Sequence, residues 1–175
     1  MVNKDEIIME DAGNLVMDDD NGLSLDDFSG GNFVKNPMVG QTLVLAILKV
    51  KNNKNTKGKN TATGKEFDIG LKKKDGSVRR IDIDTDQGVY TLNNWEIFFK
   101  FFGKEGILTQ YAKNHNKRFE GAKVSITRLL DGSHANYKIE DLAKIIGKTA
   151  SEARAYQEEI KLAMKEQRLF TVSLA

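Results

Sequence analysis

Basic side chains gather in one part of this chain. Residues 35–80 hold twelve lysines and arginines but three acidic residues. Six of the lysines fall between Lys49 and Lys65, separated mainly by Asn, Thr and Gly. Ammonium and guanidinium groups bind phosphate through charge-assisted hydrogen bonds, and at this density they attract polyanions. The stretch from Asn52 to Gly64 is therefore either a solvated linker or a loop that binds something negative.

A site for a phosphate-containing strand also needs aromatic faces on which bases can stack. The candidate residues are ten cations and two aromatics: Lys49, Lys51, Lys54, Lys57, Lys59, Lys65, Lys72, Lys74, Arg79, Arg80, Tyr90 and Trp95. Phe67, Tyr111 and Phe119 are further aromatic candidates. Alternation with Ile69 and Leu71 favours the core for Phe67, and a position on an apolar helical stripe favours the core for Trp95.

The elements that must position these residues follow from periodicity and turn signals. Residues 38–51 predict a long first strand, with the lysine-rich loop after it. Residues 65–74 alternate and predict a second strand; the Asp75-Gly76 turn leads to a third over 77–85. In that third strand Ile81 and Ile83 point inward, whereas Arg80, Asp82 and Asp84 point outward. A fourth strand over 89–92, a capped helix over 93–103, a weaker helix or loop over 107–119 and a last strand over 120–130 complete the order.

The C-terminal part has helical periodicity instead. Its two apolar stripes, joined at Gly147, predict an αα-hairpin: Ile139, Leu142, Ala143 and Ile146, then Ala153, Tyr156, Ile160, Ala163 and Met164. The predicted fold class is mixed β and α, with a five-stranded OB-like barrel, a short capping helix, the hairpin and a flexible acidic N-terminal tail. The predicted domains are residues 1–33, 34–132 and 133–175.

One segment resembles a known family. The runs "YTLNNWEIFFKFFGKEG" and "FEGAKVSITRLLDG" are similar to a pattern in small OB-fold single-stranded-DNA-binding proteins of phages, archaeal viruses and plasmids. The matching positions are structural ones: Leu92, Asn93, Phe102, Gly103, Gly121, Val124 and Ile126. The resemblance covers about forty residues and implies the barrel more than the activity. The acidic N-terminal tail and the C-terminal helices depart from the pattern.

The N-terminal segment carries charge of the opposite sign. Residues 1–33 contain nine acidic residues and one lysine, with apolar residues set among the acids. The segment has no lasting helical or strand period and ends in Gly30-Gly31, so we expect it to be flexible. It either keeps the protein soluble, docks onto a protein partner or folds back on the basic face.

Composition excludes several classes of site. The chain has no cysteine and only two histidines, which argues against disulfides, a thiolate site or structural zinc. No apolar run reaches the ~18 residues of a membrane helix, and the N-terminus does not look like a secretory signal. We expect an intracellular protein, in the host cytoplasm if viral, without a cofactor. It is expected not to be an enzyme, because no nucleophile–base pair or phosphate loop is present.

Three alternatives stay open. Asp82, Asp84 and Asp86 alternate as nuclease metal ligands do, with Glu66 and Lys72 as accessory candidates. The turn at Gly147 resembles a helix-turn-helix whose second helix would present Ser151, Glu152, Arg154, Gln157 and Glu158 to duplex DNA. A structural or assembly protein, of a virion or a complex, would use the tail and the helices as docking elements.

These observations together predict single-stranded DNA binding with little sequence preference, in replication, recombination or repair. The partners are then a single-stranded nucleic acid and a protein bound through the tail. The C-terminal helices are candidates for self-association.

Overall fold

The computed structural model describes residues 18–20 and 33–175; the rest of the predicted acidic tail lies outside the described residues. The strands are β1 (Asp18–Asp20), β2 (Thr42–Asn53), β3 (Lys57–Lys59), β4 (Glu66–Asp68), β5 (Leu71–Lys72), β6 (Val78–Thr85), β7 (Gly88–Thr91), β8 (Lys123–Arg128) and β9 (Phe170–Leu174). The helices are α1 (Trp95–Phe102), α2 (Ile107–Lys113), α3 (Ile139–Ile146) and α4 (Ala150–Lys165), with a 3₁₀ turn at Gly132–Asn136.

The chain forms two compact units. The first holds the described residues up to Lys35 together with Val44–Ser125 and Val172–Ala175; the second holds Asn36–Leu43 and Ile126–Thr171. The predicted domain division, with boundaries after residues 33 and 132, stays a prediction.

An antiparallel sheet curls into a half-barrel. Strand order along the sheet is β5, β6, β2, β8, β9, while β7 pairs with β6 and β1 lies parallel to β2. The register of β2 against β6 shifts between Ile47 and Lys49. Such a bulge bends a strand and increases its twist, which suits a sheet that curls. The coarse fold class, mixed α/β with a curled sheet, is confirmed.

Apolar residues from the sheet and from α1 fill the core of the first unit. The largest are fully buried: Leu45, Ile47, Ile81, Ile83, Leu92, Phe98, Phe101, Phe102 and Phe119. The ring of Phe102 meets that of Phe119 edge to face, with centroids 5.3 Å apart. The predicted helix over 93–103 forms because its signals are local: the Asn94 side chain accepts from the Ile97 amide at 3.2 Å, and the Gly103 amide closes the last turn on Phe99.

The second unit is built around α3 and α4. Gly147 ends α3 in the left-handed conformation (φ 66°), and the Thr149 side chain accepts from the Glu152 amide to start α4. Both predicted helices form, and Leu142, Ala153, Ile160 and Ala163 are buried as expected. Met164 was predicted to face inward but is 44% exposed, because Ala163 takes the buried position of that last turn.

Two sequence predictions about strands are wrong, and one strand was missed. Residues 65–74 do not make one strand: the chain breaks at Gly70 (φ 125°), where a Cβ would come within 2.5 Å of the Arg79 carbonyl oxygen. The lysine-rich segment is not a plain loop, because β3 within it pairs with β4. Strand β9 was not predicted at all, although the alternating apolar residues of "FTVSL" are a strand signal.

Candidate nucleic-acid interface

Most of the lysine-rich segment belongs to a two-stranded ribbon. Strands β3 and β4 pair antiparallel, Lys57 opposite Asp68 and Lys59 opposite Glu66, in a sheet of their own. Asn60 shapes the turn between them: its amide donates to the Lys65 carbonyl at 2.8 Å, and its side-chain oxygen accepts from the Ala62 amide at 2.9 Å. We call residues 57–68 the arm.

Phe67 is the exposed aromatic residue of the arm. It lies at the centre of β4, opposite Gly58, and its side chain is 44% exposed. The prediction that Phe67 lies in the core with Leu71 is wrong, because the break at Gly70 separates the two residues and only Leu71 is buried. An exposed aromatic ring can stack on an unpaired base.

The charge of the arm is smaller than its lysine count suggests. Lys57 forms an ion pair and hydrogen bond with Asp68. The hydrogen bond between them is the largest cause of a raised pKa at Lys57 and a lowered pKa at Asp68. Lys59 and Lys65 are exposed on the arm, but Glu66 lies opposite Lys59. The net positive charge of the arm itself is therefore slight.

A basic cleft lies next to the base of the arm. Its volume is about 520 Å³, and its lining includes Lys54, Lys73 and Arg79. The Arg79 guanidinium donates to the Asn52 side-chain oxygen twice, from Nε at 3.3 Å and from Nη2 at 3.1 Å. Burial lowers the pKa of Arg79, which nevertheless stays protonated at neutral pH. We call this space the base cleft.

Arg80, the neighbour of Arg79, was predicted to point outward, and that prediction is wrong. Its side chain is 1% exposed; its Nε donates to Asp82 at 3.0 Å and its Nη1 to the Asn55 carbonyl at 2.9 Å. Asp82, also predicted to point outward, is buried and accepts from Asn53 and Thr91. Both faces of β6 are covered at this point. The bond from Arg80 to the Asn55 carbonyl ties the segment before the arm to the sheet.

The remaining site candidates divide by exposure. Exposed ones are Lys49, Lys54, Lys57, Lys59, Lys65, Lys72 and Lys74; half-buried ones are Lys51, Arg79 and Trp95; Arg80 and Tyr90 are buried. Lys51 pairs with Asp84 at 3.3 Å, so part of its charge is used within the sheet.

Two aromatic candidates serve the fold. Tyr90 is 2% exposed and has no open face. Trp95 donates from Nε1 to the Lys72 carbonyl at 2.8 Å and stacks on Phe99 with centroids 5.6 Å apart. Of the other candidates, Phe119 is buried and Tyr111 stacks on His115 at 3.8 Å. Phe67 is thus the aromatic residue that the site offers to a ligand.

Three aspartates suggested a nuclease, but they have separate partners. Asp82 bonds to Arg80, Asp84 pairs with Lys51, and Asp86 accepts from the Ala46 amide at 2.9 Å. Within residues 18–20 and 33–175, no group of three His, Asp or Glu side chains is placed to hold a metal ion.

One of the residues that the helix-turn-helix alternative would present to duplex DNA is not available to it. Gln157 was predicted to face outward on the second helix, but it is buried. Its Nε2 donates to the His134 carbonyl at 3.1 Å and to the Tyr137 carbonyl at 2.8 Å, which ties α4 to the 3₁₀ turn. Gln157 therefore belongs to the packing of the second unit.

An acidic strand lies beside the base cleft. In β1, Asp18, Asp19 and Asp20 pair in parallel with Lys51, Asn52 and Asn53 of β2. Asn52 and Asn53 also line the cleft. Three residues of the acidic segment thus pair with the β2 residues Lys51, Asn52 and Asn53.

No protein-family model, curated protein or solved structure matches this chain. In the part of the chain that the structure describes, no helix is both long and apolar enough to span a membrane.

Proposed function

We propose that this chain binds single-stranded DNA with little sequence preference, in replication, recombination or repair. The observation that carries the proposal is the arm, which exposes Phe67 on a ribbon that also holds Lys59 and Lys65, and which adjoins the base cleft. Phosphates are attracted by the cations, and an unpaired base can stack on the exposed ring. A duplex keeps its bases stacked on one another, so the same ring favours a single strand.

The curled sheet fits this function if it is interpreted as an OB-like barrel. In that fold, oligonucleotides bind on strands 2 and 3 and on the loops that join strands 1–2 and 4–5. Under this interpretation β2 is the first barrel strand, and the arm occupies the 1–2 connection. Lys72, Lys74 and Arg79 then lie on or beside the second and third strands, close to the base cleft.

Fluorescence anisotropy with labelled oligothymidylate of ~30 nucleotides tests the proposal, since that length spans more than one typical OB site. We expect tight binding at low salt, weaker binding to a duplex of the same length, and a slope of log K on log salt of about −0.7 per phosphate neutralised. An RNA strand of the same length, measured in parallel, shows whether the protein prefers DNA or RNA.

Equal affinity for single strand and duplex would remove the role of Phe67 as a stacking residue. No binding of any nucleic acid at low salt would overturn the proposal. In that outcome the structural or assembly alternative gains, and light scattering is the next measurement, because that alternative requires a defined oligomer or complex.

A further inference from the structure

The base cleft contains a cation of fixed orientation, Arg79, and has a volume suited to one nucleotide. Sites for small molecules enclose roughly 300–1,000 Å³, and about 520 Å³ lies within that range. The volume is far larger than a lone phosphate requires. A nucleotide, with its base and sugar, is a better match in size.

Arg79 differs from the lysines around it because it is held in place. Two of its N–H groups donate to the Asn52 oxygen, at 3.3 and 3.1 Å, which fixes the plane of the guanidinium. A guanidinium oriented in advance loses little entropy when it binds a phosphate.

Lys54 and Lys73 line the same cleft and add two further positive charges. The hydroxyl of Thr56, also in the lining, is a neutral group that can donate to a phosphate oxygen. The burial that lowers the pKa of Arg79 also removes water from its guanidinium, which strengthens its attraction to an anion.

We propose that the base cleft is a nucleotide subsite, in which Arg79, oriented by Asn52, binds one phosphate of the DNA strand together with Lys54 and Lys73. This inference rests on the proposed function and assigns it a specific contact. The exposed lysines of the arm attract the strand without fixing its position. Arg79 instead sets which phosphate of the strand lies at the base of the arm.

The test compares Arg79→Gln, Arg79→Lys and Arg118→Gln in the full chain, by anisotropy with the same labelled oligothymidylate. Arg118 is an exposed arginine that contacts Glu120 at 3.6 Å. Arg118→Gln removes one positive charge, as Arg79→Gln does. We expect Arg79→Gln to weaken binding about tenfold and to reduce the salt slope by about 0.7, and Arg118→Gln to have less than about a twofold effect. Arg79→Lys keeps the charge and should recover the slope but only part of the affinity.

Nuclear magnetic resonance distinguishes a strand phosphate from a free nucleotide. Titration with thymidine 5′-monophosphate should shift the Arg79 Nε–H and Asn52 side-chain resonances, whereas thymidine should not. Weak competition by the monophosphate with the oligonucleotide supports a subsite within a longer interface. If the monophosphate binds at Arg79 while the oligonucleotide does not bind, both the proposed function and the strand-phosphate assignment are overturned.

Two outcomes separate this inference from the proposed function. If the oligonucleotide binds tightly and Arg79→Gln equals Arg118→Gln, the subsite is overturned and the proposed function stands. If wild-type protein binds no oligonucleotide, the proposed function fails first. Circular dichroism of each variant establishes that it is folded, and Arg79→Lys gives a second comparison if Arg79→Gln is not.

Discussion

Phe67 gives the interface its most direct test at the scale of single residues. Stacking of a base on an aromatic ring contributes ~1–3 kcal/mol, so Phe67→Ala should weaken binding of the oligothymidylate by about tenfold. Phe67→Trp should preserve or strengthen binding, because it keeps a π face. The salt slope should stay unchanged in both variants, since neither alters charge. Anisotropy across a salt series measures both quantities.

Leu162→Ala is the matched control for Phe67→Ala. Leu162 is an exposed apolar residue of similar accessibility, at 50%, in the second unit. A loss of affinity equal to that of Phe67→Ala would mean that the effect is not stacking on the arm.

Arg79 and Arg80 show how neighbouring residues of one type come to different roles. Successive side chains of a strand point to opposite faces, yet both arginines contribute to the lining of the base cleft. Arg80 is enclosed with Asp82 and its charge is used within the protein. Arg79 is half-buried and donates to Asn52. Composition counts the two arginines equally, and only their partners around β6 distinguish them.

At the scale of elements, the arm carries an acidic residue, Asp68, that reduces the positive charge of the arm. Asp68→Asn removes the ion pair with Lys57 and leaves the arm more positive. We expect this variant to bind the oligothymidylate more tightly than wild type, by about two- to fivefold at low salt, with a steeper salt slope. Glu105→Gln removes an exposed acid outside the arm and is the control for net charge.

The effect of Asp68→Asn has a definite pH dependence. The pKa of Asp68 is lowered by Lys57, so wild-type Asp68 stays ionised as pH falls below the ordinary range of a carboxyl group. The variant should therefore keep its advantage from neutral pH into mild acid, and the two proteins should converge only once Asp68 is protonated. Anisotropy at several pH values measures this. An advantage already lost near the ordinary pKa of an aspartate would contradict the assigned pair.

How much the sequence could predict varies between elements, for physical reasons. Helix α1 was predicted because its cap, its aromatic stripe and its terminal Gly103 are all local signals. The arm was not predicted, because the alternation of apolar residues continues across Gly70 and gives no sign that the strand ends there. That break depends on the approach of Gly70 to the Arg79 backbone, a contact between different strands.

The same reasoning separates the predicted site residues. The lysines at 54, 59, 65, 72 and 74 are exposed as a charged run predicts. Arg80 is buried, with its Nε donating to Asp82 and its Nη1 to the Asn55 carbonyl, and no local pattern reveals such partners. The exposure of Phe67 was missed for the opposite reason, since an aromatic residue in an alternating run is usually core.

At the scale of the whole chain, acidic and basic residues are segregated, and β1 gives that segregation a location. We propose that the acidic segment competes with DNA where β1 pairs with Lys51–Asn53. The variant Asp18→Asn/Asp19→Asn/Asp20→Asn keeps the backbone able to pair but removes three charges. It should bind the oligothymidylate several-fold more tightly at low salt, with the advantage shrinking as salt screens the charges.

The control for this variant removes three other acids of the same segment, as Glu10→Gln/Asp26→Asn/Asp27→Asn. A local competitor requires the first variant to gain more affinity than the control. Equal gains would show that only the total charge of the segment matters. No gain in either would favour the alternative in which the segment docks onto a protein partner.

Strand β2 is paired along both of its edges at Lys51–Asn53, with β6 on one side and only the three residues of β1 on the other. The amide hydrogens there that point toward β1 exchange with solvent only when so short a strand detaches, which requires little free energy. The rate at which these amides take up deuterium therefore reports how often the acidic segment detaches. A ligand that displaces β1 will speed exchange at these amides while slowing it at others nearby, so a competitor can be detected by mass spectrometry without any label on protein or ligand.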